Sequence, residues 1–163
     1  MKLHSYQKPP QQTLFEVGPG VLPLRRWHDG ALIDYVGNSL RLKLDTEHRQ
    51  AAREADVLHL PLPPHATERQ IQDAAESWLR REAKTLFSCL VTRETQRRTL
   101  QVPVISLSFS LRGGWAQMDG RVLRLNWRLI EQPLSVIELT LRRALAQLRA
   151  EQTSADLFSE FAF

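Results

Sequence analysis

Cys89 is the single cysteine of the chain, so no disulfide can close within it and no cysteine-rich zinc cage can be assembled. Long apolar runs are missing as well. No window approaches the ~20 apolar residues that a helix needs to cross a bilayer, and the opening MKLHSYQKPPQQ has no continuous apolar segment. A soluble cytoplasmic protein with no membrane association is the expectation. Charge of one sign is only slightly in excess: 22 Lys and Arg against 18 Asp and Glu leave a net +4, with most of the charges interspersed. That mixture does not by itself indicate nucleic acid. There is no G-x-S-x-G elbow and no phosphate-cradling glycine loop, and Gly113-Gly114 alone signals only a turn. What remains is a chain of 163 residues, 42% hydrophobic, large enough to bury one core of its own.

Residues 1–13 are polar and contain Pro9-Pro10, which predicts a flexible lead before a single domain over 14–163. Val21 to Trp27 reads as an edge strand because Pro23 cannot donate to a central ladder. In Ala31 to Leu44, Leu40, Leu42 and Leu44 alternate with Arg41 and Lys43, and Gly37-Asn38 supplies a tight turn, so a β-hairpin is expected. His48 to Ala55 is polar and reads as a short helical or irregular connection. Val57 to Leu62 follows as a strand ended by Pro61, Pro63 and Pro64.

Thr67, with Gln70 three residues on, has the form of a capping box, and Ile71, Ala75, Trp78, Leu79, Leu86 and Leu90 follow helical spacing. A long core helix over Thr67 to Val91 is predicted, with Arg69, Asp73, Glu76, Arg80, Arg81 and Lys84 on a solvated face. Thr95 to Gln101 reads as a basic loop. Val104 to Leu111 is a strand with Leu107, Phe109 and Leu111 on one face and Ser106, Ser108 and Ser110 on the other. Asp119-Gly120 turns Trp115 to Met118 into Val122 to Trp127 as a second hairpin. After Pro133, Ser135 and Glu138 form another capping box for a helix running to Arg149. Its apolar stripe is Ile137, Leu141, Ala144, Leu145 and Leu148, while Arg143 and Gln147 share a different face. The fold class expected is α+β, a small antiparallel sheet packed against these two helices.

The run LRLNWRLIEQPLSVIELTLRRALAQLRAEQTSADLF resembles the YgjP-like metallopeptidases, above all in Leu125-Asn126-Trp127-Arg128-Leu129-Ile130 followed by the spaced Pro133. Weaker similarity extends back through WLRREA, Trp78 to Ala83, and the hairpin segment His28 to Leu44. The resemblance implies a zincin-like core. In that family two histidines four residues apart on a helix bind zinc, a neighbouring glutamate is the general base, and a later histidine completes the ligands. The corresponding positions here are Arg143 and Gln147 for the first two ligands, Ala144 for the glutamate and Thr153 for the third ligand. Arginine has no lone pair to donate, alanine has no proton-transfer group, and neutral amide and hydroxyl oxygens are poor zinc ligands beside imidazole. The family's Trp-Gly-Ser-Cys segment is Trp115-Ala116-Gln117-Met118, and fewer residues follow the third-ligand position than in relatives. The implication is a framework without its catalytic set, and no cofactor although zinc is the family's metal.

If the final helix packs beside Val122 to Arg128, Arg143 and Gln147 occupy the groove where relatives hold zinc, with Trp115, Arg112, Arg121 and Arg124 as further lining residues. The expectation is that Arg143 pairs with a carboxylate such as Asp119, Glu138 or Asp156 and fills the former metal position. Elsewhere, His4, His28, His48, His59 and His65 have no i, i+4 pair, and only His59 and His65, flanking a proline-rich strand end, are placed to approach each other. Each reads as a surface or hydrogen-bonded structural residue. Cys89, between Leu86 and Leu90, reads as a buried structural thiol.

The function expected is that of a catalytically inactive metallopeptidase homologue whose fold serves binding or assembly, with a protein partner and an oligomeric state left open. Two alternatives stand beside it. One is a residual metal-dependent hydrolase with unorthodox ligands. The other is a nucleic-acid-binding module, since residues 112–149 hold seven arginines against three acids. The apolar Leu157-Phe158 and Phe161-Ala162-Phe163 are expected to pack on the core or dock into another chain.

Overall fold

Alternation of leucine with charge makes β2 (Asn38–Leu44) a strand with one face inside: Leu40 and Leu42 are buried, while Arg41 and Lys43 are exposed. The computed structural model describes residues 27–110 and 112–159, apart from the side chains of 149–159. The lead at 1–13, most of the strand expected at 21–27, and the C-terminal apolar side chains lie outside the described residues. Trp27 is described and is buried in the core.

β1 (Leu32–Tyr35) pairs antiparallel with β2, and Tyr35 faces Asn38 across a two-residue loop of Val36 and Gly37. The turn therefore sits one residue earlier than Gly37-Asn38. Both loop residues have positive φ, 49° at Val36 and 75° at Gly37, the combination a tight hairpin requires and a β-branched residue resists. Val36 is held there by donating its N–H to the Ile130 carbonyl at 2.7 Å. At Gly37 a Cβ would stand 2.9 Å from the Pro133 Cα, so the hairpin tip lies directly on the start of the last helix.

The polar stretch after β2 holds a strand that its composition does not announce, β3 (Ala52–Glu54). It turns through Ala55 and Asp56 into β4 (Val57–Leu60). β4 runs parallel to β2, giving the order β1-β2-β4-β3. A second sheet has the order β5-β7-β6, built from β5 (Val104–Ser108), β6 (Ala116–Asp119) and β7 (Val122–Asn126), with β5 parallel to β7. The single antiparallel sheet expected from the sequence is thus corrected to two small mixed sheets: two hairpins side by side bring β2 parallel to β4, and β5 lies parallel beside the β6–β7 hairpin. The α+β class stands.

Helix α1 (Glu68–Arg97) carries both bonds of the Thr67/Gln70 capping box. It runs six residues beyond Val91, since Glu94 and Thr95 are buried and Thr95 Oγ1 donates back to the Val91 carbonyl at 2.9 Å. Cys89 is exposed, contrary to its expected burial. It lies two residues from both Phe87 and Val91, which are buried, and at about 100° per residue that turns it away from the core. Helix α2 (Leu134–Ser159) starts one residue before the expected cap. The Pro133 carbonyl accepts from the N–H groups of Val136 and Ile137, and Glu138 pairs with Arg93 and Arg142 rather than closing a box. The helix also continues past Arg149. Its stripe Ile137, Leu141, Ala144, Leu145 and Leu148 is buried. α1 packs on β4, β5 and α2, and α2 packs on β6, around one apolar cluster shared by both sheets.

Candidate functional site

Between β7 and α2 the chain makes one 3-10 turn, Trp127–Glu131, and the run Asn126-Trp127-Arg128 builds it. Asn126 is 1% exposed. Its amide nitrogen donates to the Ser110 carbonyl at 2.9 Å and its Oδ1 accepts from the Arg128 N–H at 3.0 Å. Only a side chain with both donor and acceptor serves both partners. Arg128 donates to Glu76 Oε1 at 3.2 Å and to Glu131 Oε1 at 3.1 Å. Arg80 reaches Glu76 Oε2 at 2.8 Å, and both guanidiniums lie over the Trp127 ring, at 4.5 Å for Arg128 and 5.2 Å for Arg80. Glu76 is therefore corrected from a solvated-face residue to a buried one. Paired and hydrogen-bonded carboxylates are the acids that tolerate burial.

One turn further on, α2 and β6 enclose a cavity of about 200 Å³. Val136, Thr140, Arg143, Ala144 and Gln147 line it from the helix, spaced as one face, and Trp115 and Ala116 line it from the sheet. Arg143, Ala144 and Gln147 are thus brought together against Trp115. Thr153 lies on the same helix, its side chain outside the described residues. Arg112 and Arg121 are exposed and do not line this cavity. Arg124 projects from the other face of β7 into a separate hollow with Ser106, Ser108, Ser110 and Gln117, and pairs with Asp119 at 3.4 Å. The period of two along β7 accounts for this, since Leu123 and Leu125 take the core face.

A second cluster of polar groups lies at the far sheet. His59, on β4 between the fully buried Leu58 and Leu60, points to the opposite face and is 7% exposed. His48, in the loop after β2, stacks on it with ring centroids 4.5 Å apart. Asp45 Oδ2 lies 3.2 Å from His59 Nδ1 and 3.4 Å from His48 Nδ1. On the other edge of the rings, Glu54 approaches His48 Nε2 at 3.4 Å and His59 Nε2 at 3.6 Å. The Asp45 carboxyl is held below the usual carboxylate range, first by the Glu47 N–H, then by His59 and by the charges of His48 and Lys43, against some desolvation. The pair that meets is therefore His48 and His59, not His59 and His65. Helical spacing could not reveal it, because the two residues come from a loop and a strand joined by a hairpin.

Comparison with known proteins decides the family. Residues 14–140 match the family described as "YgjP-like, metallopeptidase domain". The chain belongs to the YgjP-like metallopeptidase family. No curated protein and no solved structure matches it. The YgjP-like match contains the whole Asn126–Glu131 turn and ends three residues before Arg143. Arg143, Ala144 and Gln147, which the cavity brings together, do not fit a zinc ion. Arg143 is a fixed cation, Ala144 is a methyl group buried to 6% exposure, and Gln147 offers only a neutral amide. No helix among the described residues is long and apolar enough to cross a membrane.

Proposed function

We propose that this YgjP-like protein is a pseudoenzyme: a metallopeptidase homologue that carries out no peptide hydrolysis and holds no zinc at the Arg143, Ala144, Gln147 and Thr153 positions, its fold serving binding or assembly with a protein partner in the cytoplasm. The observation that carries the reading is the α2–β6 cavity, where Arg143, Ala144 and Gln147 converge, with neither an imidazole nor a carboxylate among the described residues that line it. Hydrolysis through a metal-bound water needs at least three ligand atoms and a base beside them, and these lining residues supply neither. An assembly role is supported by β5, an edge strand whose surroundings expose Val104 and Phe109 at 66% and 63%. The nucleic-acid alternative is weakened by the commitment of Arg124, Arg128 and Arg142 to Asp119, Glu76, Glu131, Glu94 and Glu138.

The test is cleavage of a degenerate peptide library by the purified full chain, with and without added Zn²⁺, Mn²⁺ or Co²⁺. No cleavage above buffer is expected under any condition. Chelator-sensitive cleavage that disappears in Gln147→Ala or Thr153→Ala would overturn the reading and restore the hydrolase alternative.

A further inference from the structure

The geometry points to a divalent transition-metal site at Asp45, His48 and His59, on the N-terminal sheet and separate from the α2–β6 cavity. These three residues offer one carboxylate oxygen and two imidazole nitrogens within 4.8 Å of one another. Two of their three separations match those in a coordination shell. A tetrahedral ion with bonds of about 2.0–2.1 Å sets its ligand atoms about 3.3–3.4 Å apart, and Asp45 Oδ2 stands 3.2 Å from His59 Nδ1 and 3.4 Å from His48 Nδ1. The His48 contact is not a hydrogen bond: its Nδ1 is buried and has no hydrogen-bond partner. A buried imidazole nitrogen without a partner is costly to leave unmade, and a metal ion would use its lone pair.

Backbone structure fixes two of the three ligands. Asp45 directly follows β2, its N–H bonded to the Leu60 carbonyl at 2.8 Å, and its Oδ1 is occupied by the Glu47 N–H at 3.1 Å, which aims Oδ2 at the rings. His59 is locked in the middle of β4 between two ladders, paired with Lys43 on one side and Ala52 on the other. His48 comes from the connecting loop, so binding an ion would fasten that loop to the sheet. Glu54 lies within hydrogen-bond distance of His48 Nε2 and orients that ring as carboxylates do behind metal-bound histidines. Water completes the coordination. Lys43 is a nearby cation, its Nζ 3.9 Å from Asp45 Oδ2 and its side chain 58% exposed, so it can swing into solvent when an ion enters. Two imidazoles with one carboxylate select zinc or a neighbouring first-row ion over magnesium or calcium, which take oxygen shells.

The experiment is titration of the metal-free full chain with ZnSO4 by competition against a chromophoric chelator, together with the visible spectrum of the Co²⁺-loaded protein. One equivalent of zinc is expected, with cobalt bands of tetrahedral intensity and a thermal midpoint that rises with zinc. Groups that merely orient a metal ligand cost ~10–100-fold in affinity when removed, so His48→Gln and Asp45→Asn should each weaken binding by at least about 100-fold. Arg143→Ala should leave it unchanged. His48 is partly exposed, so its variant is expected to keep the wild-type circular dichroism, which separates lost binding from lost folding. No zinc uptake by the wild type, or equal uptake by His48→Gln and Asp45→Asn, overturns the site. Uptake lost in Arg143→Ala but kept in His48→Gln would place the ion in the cavity and overturn the pseudoenzyme reading as well.

Discussion

The two sheets of this protein carry opposite chemistry. In the C-terminal half, where the family resemblance places a metal, the converging residues are an arginine, an alanine and a glutamine. In the N-terminal half, where the resemblance places none, two histidines and two carboxylates meet around buried ring edges. The difference teaches that a fold and its chemistry are maintained by different atoms. The C-terminal half keeps its shape through Asn126, Trp127, Arg128 and the stripe of α2, none of which requires an ion.

The two halves share one apolar core, and breaking the buried ion-pair joint between them should have the largest effect. Arg128→Ala leaves Glu76 and Glu131, 7% and 9% exposed, without their shared guanidinium. Glu76 keeps Arg80, so urea unfolding should show a loss at the lower end of the about 3–5 kcal/mol that an uncompensated buried charge costs. Arg124→Ala, at a pair whose side chains are 55% and 66% exposed, should change stability by less than about 0.5 kcal/mol. Next comes Gly37→Ala, which puts an L side chain at φ 75° and a Cβ against Pro133. A residue held in the left-handed region costs about 1–3 kcal/mol, and the Pro133 contact places this substitution at the upper end of that range.

The contrast between the halves sharpens through the loss of a cap. Thr67→Ala removes the side-chain acceptor for the Gln70 N–H at 3.3 Å and should cost about 1 kcal/mol, with no effect on zinc titration. The smallest effect is again N-terminal. The Tyr35 hydroxyl is pushed up, first by burial and then by the charge of Glu82, to whose Oε2 it donates at 3.1 Å. A raised folded-state value means that the contribution is complete below the unfolded tyrosine range, about pH 10, and is lost as pH climbs through the folded value. Tyr35→Phe should therefore flatten the decline of thermal midpoint on the alkaline side, and an unchanged slope would show that another group controls it.

Patterns of one element at a time were legible in the sequence. The alternation Leu40, Leu42, Leu44, the Thr67 cap and the α2 stripe each rest on a local period, and each appears in the structure. What spacing could not show was anything set by a neighbour. β3 has three residues with no apolar alternation and exists because β4 pairs with it. The parallel β2–β4 pair arises from two hairpins lying side by side, and the parallel β5–β7 pair from β5 laid beside the β6–β7 hairpin. Glu76 reads as a surface charge on a helical wheel, yet Arg128 arrives from a distant segment to meet it, as Arg142 does for Glu94 beyond the predicted helix end. In the candidate site, the helix put Arg143, Ala144 and Gln147 on one cavity, as a shared turn of helix dictates, whereas Arg124 went to the opposite strand face. His48 and His59 needed the whole β3–β4 hairpin to bring them together.

The hairpin tip resting on Pro133 has one more consequence. Two landmarks of the family resemblance, the segment around Gly37 and the run from Leu125 to Pro133, touch each other through the Val36–Ile130 hydrogen bond and the Gly37–Pro133 contact. What makes the lineage recognisable is therefore a clasp between distant parts of the chain, and a clasp answers only to whether the protein folds. Membership read from it carries no information about turnover.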